Sequence, residues 1–258
     1  MFDMVPMKKI LILGGTTEAR QLAGKLVEDF LVTLSLAGRT ESPVAQGVPV
    51  RSGGFGGADG LAAYLRETGT GLLIDATHPY AARISANAAM AARKTGVPIL
   101  ALRRPGWEAV EGDRWLEIDS VAGAARALGD VPRRVFLALG RQEVAAFEAA
   151  PQHHYLIRSV DPVEPKLVVP DADYLLARGP FHEREERALL EKHHIGVVVS
   201  KNSGGAATYG KIAAARTLGI EVVMVRRPAL PEVPSAETVE ALAAMIDHFV
   251  EPDAERGV

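Results

Sequence analysis

The segment VVVSKNSGGAATYGK, residues 197–211, sets a lysine at the end of an apolar run and follows it with amide, hydroxyl and glycine. Ser200, Asn202, Ser203, the Gly204–Gly205 backbone and Thr208 form a donor-rich turn ahead of a helix, and Lys201 adds a formal charge. That combination suits an anion such as a carboxylate. A plain polar loop before a capped helix would need fewer of these groups. The last seven residues, Gly205–Lys211, also spell GxxxxGK, the opening of a triphosphate-binding loop. Three features oppose that use. Ile212 stands where Ser or Thr would hold magnesium, and the GK pair falls inside the predicted helix rather than at its start. LLID, residues 72–75, is the only apolar run ending in aspartate that could serve as the second motif, and it lies upstream in the other half.

A second set of groups lies near the N-terminus. In GGTTEAR, Gly14 can open a G-x-G-x-x-G/A fingerprint in which Thr16 replaces the second glycine and Ala19 fills the last place. Gly14 and Gly15 let backbone approach a pyrophosphate, Thr16 or Thr17 can cap the helix or donate a hydroxyl, and Arg20 lies one turn further on. About two dozen residues beyond the glycines, where an NAD site places a carboxylate, stand Arg39 and Thr40. A planar cation and a hydroxyl suit a 2′-phosphate, which favours NADPH as cofactor. SGGFGG, with Gly53 and Gly54, offers more backbone for the nucleotide or forms a plain turn. The run GLLID ends in Asp75, Ala76 and Thr77, then His78, Pro79 and Tyr80. His78 and Tyr80 are the side chains there suited to a proton or a carboxylate hydrogen bond.

These groups need elements to hold them. Strand-length apolar runs recur at 8–13, 30–37, 71–75, 98–103, 134–140, 154–159, 174–179, 196–200 and 221–226, most of them continuous rather than alternating. Such runs are covered on both faces, and helical stretches separate most of them, as in parallel, doubly wound α/β sheets. In the first stretch Ala19, Leu22, Ala23, Leu26 and Phe30 share one face. The chain also repeats itself. AARKTGVPILALRRP (91–105) matches AARTLGIEVVMVRRP (214–228) at seven of fifteen positions, and GLLIDATHPY falls opposite GVVVSKNSGG. We expect two Rossmann-like halves with a cleft between them: an NADP-binding domain over 1–130 and a substrate domain over 131–258. The final helix, 235–250, is free to pack back on the first.

Composition narrows the classes. With no cysteine, disulfides and thiol chemistry are excluded, and a net charge of −3 with mixed signs gives no footprint for nucleic acid. No run reads as a membrane span and MFDMVPMKKI lacks signal-peptide order, so a cytoplasmic protein is expected. The pairs His153–His154 and His193–His194 lack metal-ligand spacing and read as solvated ends, so no metal site is expected.

ILILGGTTEAR, IDATHPYA, LALGRQ and VVVSKNSGGAATYGKI, in this order, resemble the precorrin-6A reductase family of cobalamin biosynthesis over about residues 8–228. The resemblance implies reduction of one double bond of a tetrapyrrole macrocycle by NADPH to give precorrin-6B, with no flavin or metal of the enzyme's own. It also implies distributed donors for the macrocycle's carboxylates, for which Arg141, Arg178, Lys201 and the SKNSGG amides are the candidates. Lys201, His78, Tyr80 and water are open as proton sources. The cobalt-precorrin-6A branch and a non-enzymatic NADP sensor are the alternatives.

Overall fold

The computed structural model describes residues 8–38 and 45–250, with side chains as far as 247. Arg39 and Thr40 therefore lie outside the described residues. The chain forms two compact units, one built from the chain up to Pro105 and from Ala229 onward, the other from Gly106–Pro228. The first unit runs β1 (Lys9–Leu13), α1 (Thr17–Leu26), β2 (Leu31–Leu36), β3 (Val50–Ser52), α2 (Gly57–Thr68), β4 (Leu72–Asp75), α3 (Ala82–Thr95) and β5 (Ile99–Leu102). The second runs β6 (Trp115–Ile118), α4 (Val121–Ala127), β7 (Arg134–Ala138), β8 (His154–Ser159), β9 (Ala172–Leu176), α5 (Glu183–Lys192), β10 (Val197–Lys201), α6 (Gly210–Thr217) and β11 (Glu221–Val225). The chain then returns to the first unit as β12 (Ser235–Ala236) and α7 (Val239–Val250).

Each unit holds a six-stranded parallel sheet, in the orders β12-β5-β4-β1-β2-β3 and β6-β11-β10-β7-β8-β9. Matching β1 to β7, β2 to β8 and so on maps one order onto the other, with β12 taking the place of β6. The duplication read from the sequence is thus a duplication of topology. It also corrects the expected boundary at 130. Residues 115–127 belong to the second unit because β6 pairs with β11, Val222 opposite Trp115. Residues 235–236 belong to the first because β12 pairs with β5, Ser235 opposite Ala101. Both crossings occur at the repeated RRP, after Pro105 and after Pro228. The end of the sequence expected as helix from 235 begins as this short strand, and the helix starts at Val239.

The interior strands are the continuous apolar runs, and they are buried: Ile10–Leu13, Leu72–Asp75 and Val197–Ser200 lie in their sheet interiors. On one face of the first sheet Ile10, Ile12 and Leu34 pack with Leu22 and Leu26 of α1 and with Leu242 and Ile246 of α7. On the other face Leu11, Leu13 and Leu73 meet α2 and α3 through Leu61, Leu65, Ala88 and Ala91. The helix ends that the repeat aligns, Gly96 and Gly219, both turn at positive φ, 73° and 65°, which explains why both copies carry glycine. In each sheet the winding direction reverses between the first strand and the fourth, β1 and β4 or β7 and β10. Ligands of doubly wound sheets sit at the carboxyl ends of such a strand pair.

Candidate functional site

At the mouth of β1 and β4 the glycine turn divides its labour. A Cβ on Gly14 would lie 2.6 Å from Leu34 Cδ1 and 3.1 Å from Ala19 Cβ, so this glycine lets α1 close onto the sheet. Gly15 sits at φ 113° with nothing within 4 Å of a Cβ position, so its backbone borders open space. Thr16 caps α1, accepting from the Ala19 N–H (3.1 Å), and donates to the Ala76 carbonyl (3.1 Å), which ties the β1 turn to the β4 turn. Thr17 is exposed and Arg20 half-buried. The first-turn N–H groups of Thr17 and Glu18 have no acceptor within the helix. Glu18 would repel an anion there, but Arg104 pairs with it at 2.7 Å.

Asp75 is turned into the protein. Its carboxylate is fully buried, accepting from Arg103 (2.5 Å) and from the Thr77 hydroxyl (2.7 Å) and N–H (3.2 Å). Burial alone would raise its pKa; the Arg103 charge and hydrogen bonds from Arg103, Ser85 and Thr77 outweigh it and hold the carboxyl below its ordinary value. Asp75 therefore shapes the turn in which Ala76 and Thr77, both buried, are held. His78 is exposed and its Nδ1 accepts from the Tyr80 N–H (3.3 Å), with the two rings 5.7 Å apart. At the β3 end Arg51 donates to the carbonyls of Gly53 (2.6 Å) and Gly54 (2.7 Å) and lies 3.6 Å over the Phe55 ring, so SGGFGG is an ordered turn.

At the mouth of β7 and β10 Lys201 closes its strand and pairs with Glu143, which follows β7. The charge expected for an anion thus already has a carboxylate partner. Two neighbours depart from the expected ligand set. Ser200 is fully buried, its hydroxyl directed at the Lys201 carbonyl (3.2 Å). The Asn202 amide makes a two-bond clamp on the backbone of Trp107, accepting from its N–H (2.6 Å) and donating to its carbonyl (2.8 Å). The Arg227 guanidinium in turn donates to the Asn202 carbonyl (2.8 Å). Asn202 thus anchors the chain just after its first crossing, and both arms of its amide are engaged in doing so. The Ser203 and Thr208 hydroxyls meet at 3.2 Å across Gly204 and Gly205. Half-buried Arg141 follows β7 and exposed Arg178 follows β9, two strands along the same carboxyl edge.

The GK pair opens α6 rather than lying within it, preceded by a 3-10 turn at Ala206–Thr208. Lys211 and Ile212 are nonetheless buried and turned away from any phosphate. His153 is also buried, not solvated, its Nδ1 accepting from the Arg133 N–H (3.2 Å). Among the described residues no group of three or more His, Asp or Glu is placed to hold a metal ion, and no helix is long and apolar enough to cross a membrane. The RRP repeat carried a signal for Arg103 and Arg104, whereas Glu143, the partner of Lys201, was missed.

Two parallel sheets, a glycine turn with a capped helix at one switch point and a cationic strand end at the other define an α/β protein of the Rossmann-like class. The family model described as precorrin-6x reductase CbiJ/CobK matches residues 9–247, and the chain belongs to that family. A precorrin-6A reductase of Sinorhizobium sp is 57% identical over 256 residues, 98% of each chain. That of Rhodobacter capsulatus is 48% identical over 98% of this chain and 100% of its own. The solved structure of a CobK precorrin-6A reductase superimposes with a TM-score of 0.90 at 48% identity, covering 98% of this chain and 100% of that one.

Proposed function

We propose that this protein reduces precorrin-6A to precorrin-6B with NADPH in cobalamin biosynthesis. The observation that carries the reading is near full-length similarity to relatives of that name together with an intact glycine turn at the first switch point. The metal-free macrocycle is favoured over the cobalt-loaded one. Relatives named precorrin-6A reductase are 41–57% identical, whereas those named cobalt-precorrin-6A reductase are 26–30% identical.

The first mouth fits a dinucleotide. Open space beside Gly15, the unpaired N–H groups opening α1 and the exposed Thr17 suit a pyrophosphate, while Thr16 is spent on the cap and on Ala76. Arg39 and Thr40 are proposed to read the 2′-phosphate. When bound, NADPH supplies the hydride, and a proton completes the adjacent carbon. In the second mouth Lys201, Arg141 and Arg178 hold substrate carboxylates, with the Gly204–Gly205 backbone beside them, and Glu143 keeps Lys201 oriented until a ligand carboxylate competes for it. Lys201, His78 and Tyr80 are the proposed proton donors. The proposed place of action is the cytoplasm. The test is anaerobic incubation of the purified chain with precorrin-6A and NADPH, following loss of NADPH absorbance and a gain of two mass units in the macrocycle. Turnover of the cobalt-loaded substrate in preference to the metal-free one would overturn the assignment.

A further inference from the structure

Lys211, the lysine of the GxxxxGK segment, is 4% exposed, although it lies in the first turn of α6 beside a solvent-facing loop. Its ammonium donates to the Thr208 carbonyl (2.7 Å) and lies 4.9 Å from the centre of the Trp107 ring. Among the described residues it has no carboxylate to itself. Glu186 of α5 is held by both terminal nitrogens of Arg158 of β8 (2.5 and 2.8 Å), so a cation borders Lys211 together with that anion. Tyr209, the other titratable group at this cluster, stacks against Trp107 at 5.7 Å and meets Arg216 at 3.0 Å. Placing an ammonium in such surroundings is costly, and a methionine would fill the space without that cost. The contacts form a closed ring. Asn202 holds the Trp107 backbone, Lys211 meets the Trp107 ring and the Thr208 carbonyl, and the Thr208 hydroxyl returns to Ser203.

We infer that Lys211 is a positioning residue for the turn after Lys201: it ties the far end of the turn, at Thr208, to the same tryptophan that Asn202 grips from the near end. The ligand-facing backbone of residues 203–208 is thereby held in one shape from beneath, by a side chain that touches no ligand. Burial, and then the Arg158 charge, push the Lys211 pKa down to about 7 against the opposing pull of Glu186. The buried ammonium therefore gives up its proton as pH rises through neutrality, and the neutral amine still donates to the Thr208 carbonyl without the cost of a buried charge.

The experiment is hydrogen exchange by mass spectrometry on the full chain, wild type against Lys211→Met and Trp107→Leu. Loss of a charged hydrogen bond corresponds to about ten- to a hundred-fold, so exchange in peptides covering 202–209 should accelerate by that factor in Lys211→Met. Trp107→Leu should accelerate the same peptides, which keeps the test alive should Lys211→Met fail to fold. Opening that exposes Lys211 lets it take up a proton between about pH 7 and 10.5. In the wild type, exchange there, corrected for intrinsic rates, should therefore slow as pH rises past about 7, and in Lys211→Met it should not. This inference rests on the reductase reading only for its kinetic arm, in which KM for precorrin-6A rises about ten-fold or more and KM for NADPH is unchanged. If the wild type turns over no precorrin-6A, the reductase reading fails and exchange alone decides the role of Lys211. Wild-type exchange across 202–209 in both variants, or acceleration spread evenly over β10 and α6, would overturn it.

Discussion

Lys211→Met should stabilise the second unit at neutral and acidic pH even as it loosens the turn above. In the folded protein the lysine pKa falls from 10.5 to about 7, so the unfolded chain binds the extra proton between those values. Stability rises with pH wherever the unfolded state holds more protons. Below pH 7 both states are charged and the full cost of burial is present; above pH 10.5 both are neutral and it is gone. At about 1.4 kcal/mol per pKa unit, the wild type should gain at most about 4–5 kcal/mol relative to Lys211→Met from the acid side of that window to its basic side. Against this the methionine loses the bond to Thr208, worth about 1 kcal/mol. The variant should thus be more stable than wild type at pH 6 and slightly less stable at pH 10. Both tryptophans, Trp107 and Trp115, belong to the second unit, so urea unfolding followed by tryptophan fluorescence reports on the relevant core. Parallel stability-versus-pH curves for the two would refute the reasoning.

Asp75→Asn leaves Arg103 without its buried partner and should cost about 3–5 kcal/mol in the first unit, seen as a lowered thermal midpoint. The wild-type contribution is present above the ordinary aspartate pKa and lost as pH falls through the depressed folded value, so the two proteins should converge in acid. Arg39→Ala should weaken NADPH binding about ten- to a hundred-fold and leave NADH unchanged in titrations of cofactor fluorescence; equal losses would remove the 2′-phosphate reading. For Lys201→Met, a purely ground-state clamp predicts a raised KM with kcat intact, whereas a proton donor predicts a fall in kcat of roughly 10²–10⁴-fold. Glu143→Gln, which frees Lys201 from its carboxylate, should lower the substrate KM if the pair competes with substrate, and an unchanged KM would show that it does not.

The interior strands were legible because burial on both faces leaves no alternation to confuse, and the runs at 8–13, 71–75 and 196–200 coincide with β1, β4 and β10 to within a residue. The strands β3, β6 and β12 were not. They are edge strands of three, four and two residues with little buried surface, and their identity is set by pairing rather than by pattern. The unit boundary was missed for the same reason, since β6 is recognisable only through its ladder to β11. Among the site residues, sequence located both carboxyl-end turns but could not separate side chains facing out from those facing in. Asp75, Ser200 and Asn202 are polar groups at strand ends: Asp75 and Asn202 are consumed by partners distant in sequence, Arg103 and the Trp107 backbone, and Ser200 is buried in the sheet against the neighbouring Lys201 carbonyl.

The duplication explains why the two mouths differ in chemistry while sharing a frame. Register aligns Asp75 with Ser200, since each faces the last paired residue of the first strand, Leu13 or Ala138. In the first unit the aspartate holds the first arginine of its RRP, Arg103, inside the turn. In the second a serine stands there, and the matching Arg226 turns to Glu117 (3.1 Å) and Asp119 (2.8 Å) at the end of β6. The next position is Ala76 in one copy and Lys201 in the other. The small alanine leaves its carbonyl to the Thr16 hydroxyl, so that mouth is bridged by a neutral bond to backbone. The lysine instead bridges its mouth through an ion pair with Glu143, which a ligand carboxylate can contest. One residue at one strand end therefore decides whether the shared frame presents backbone or charge.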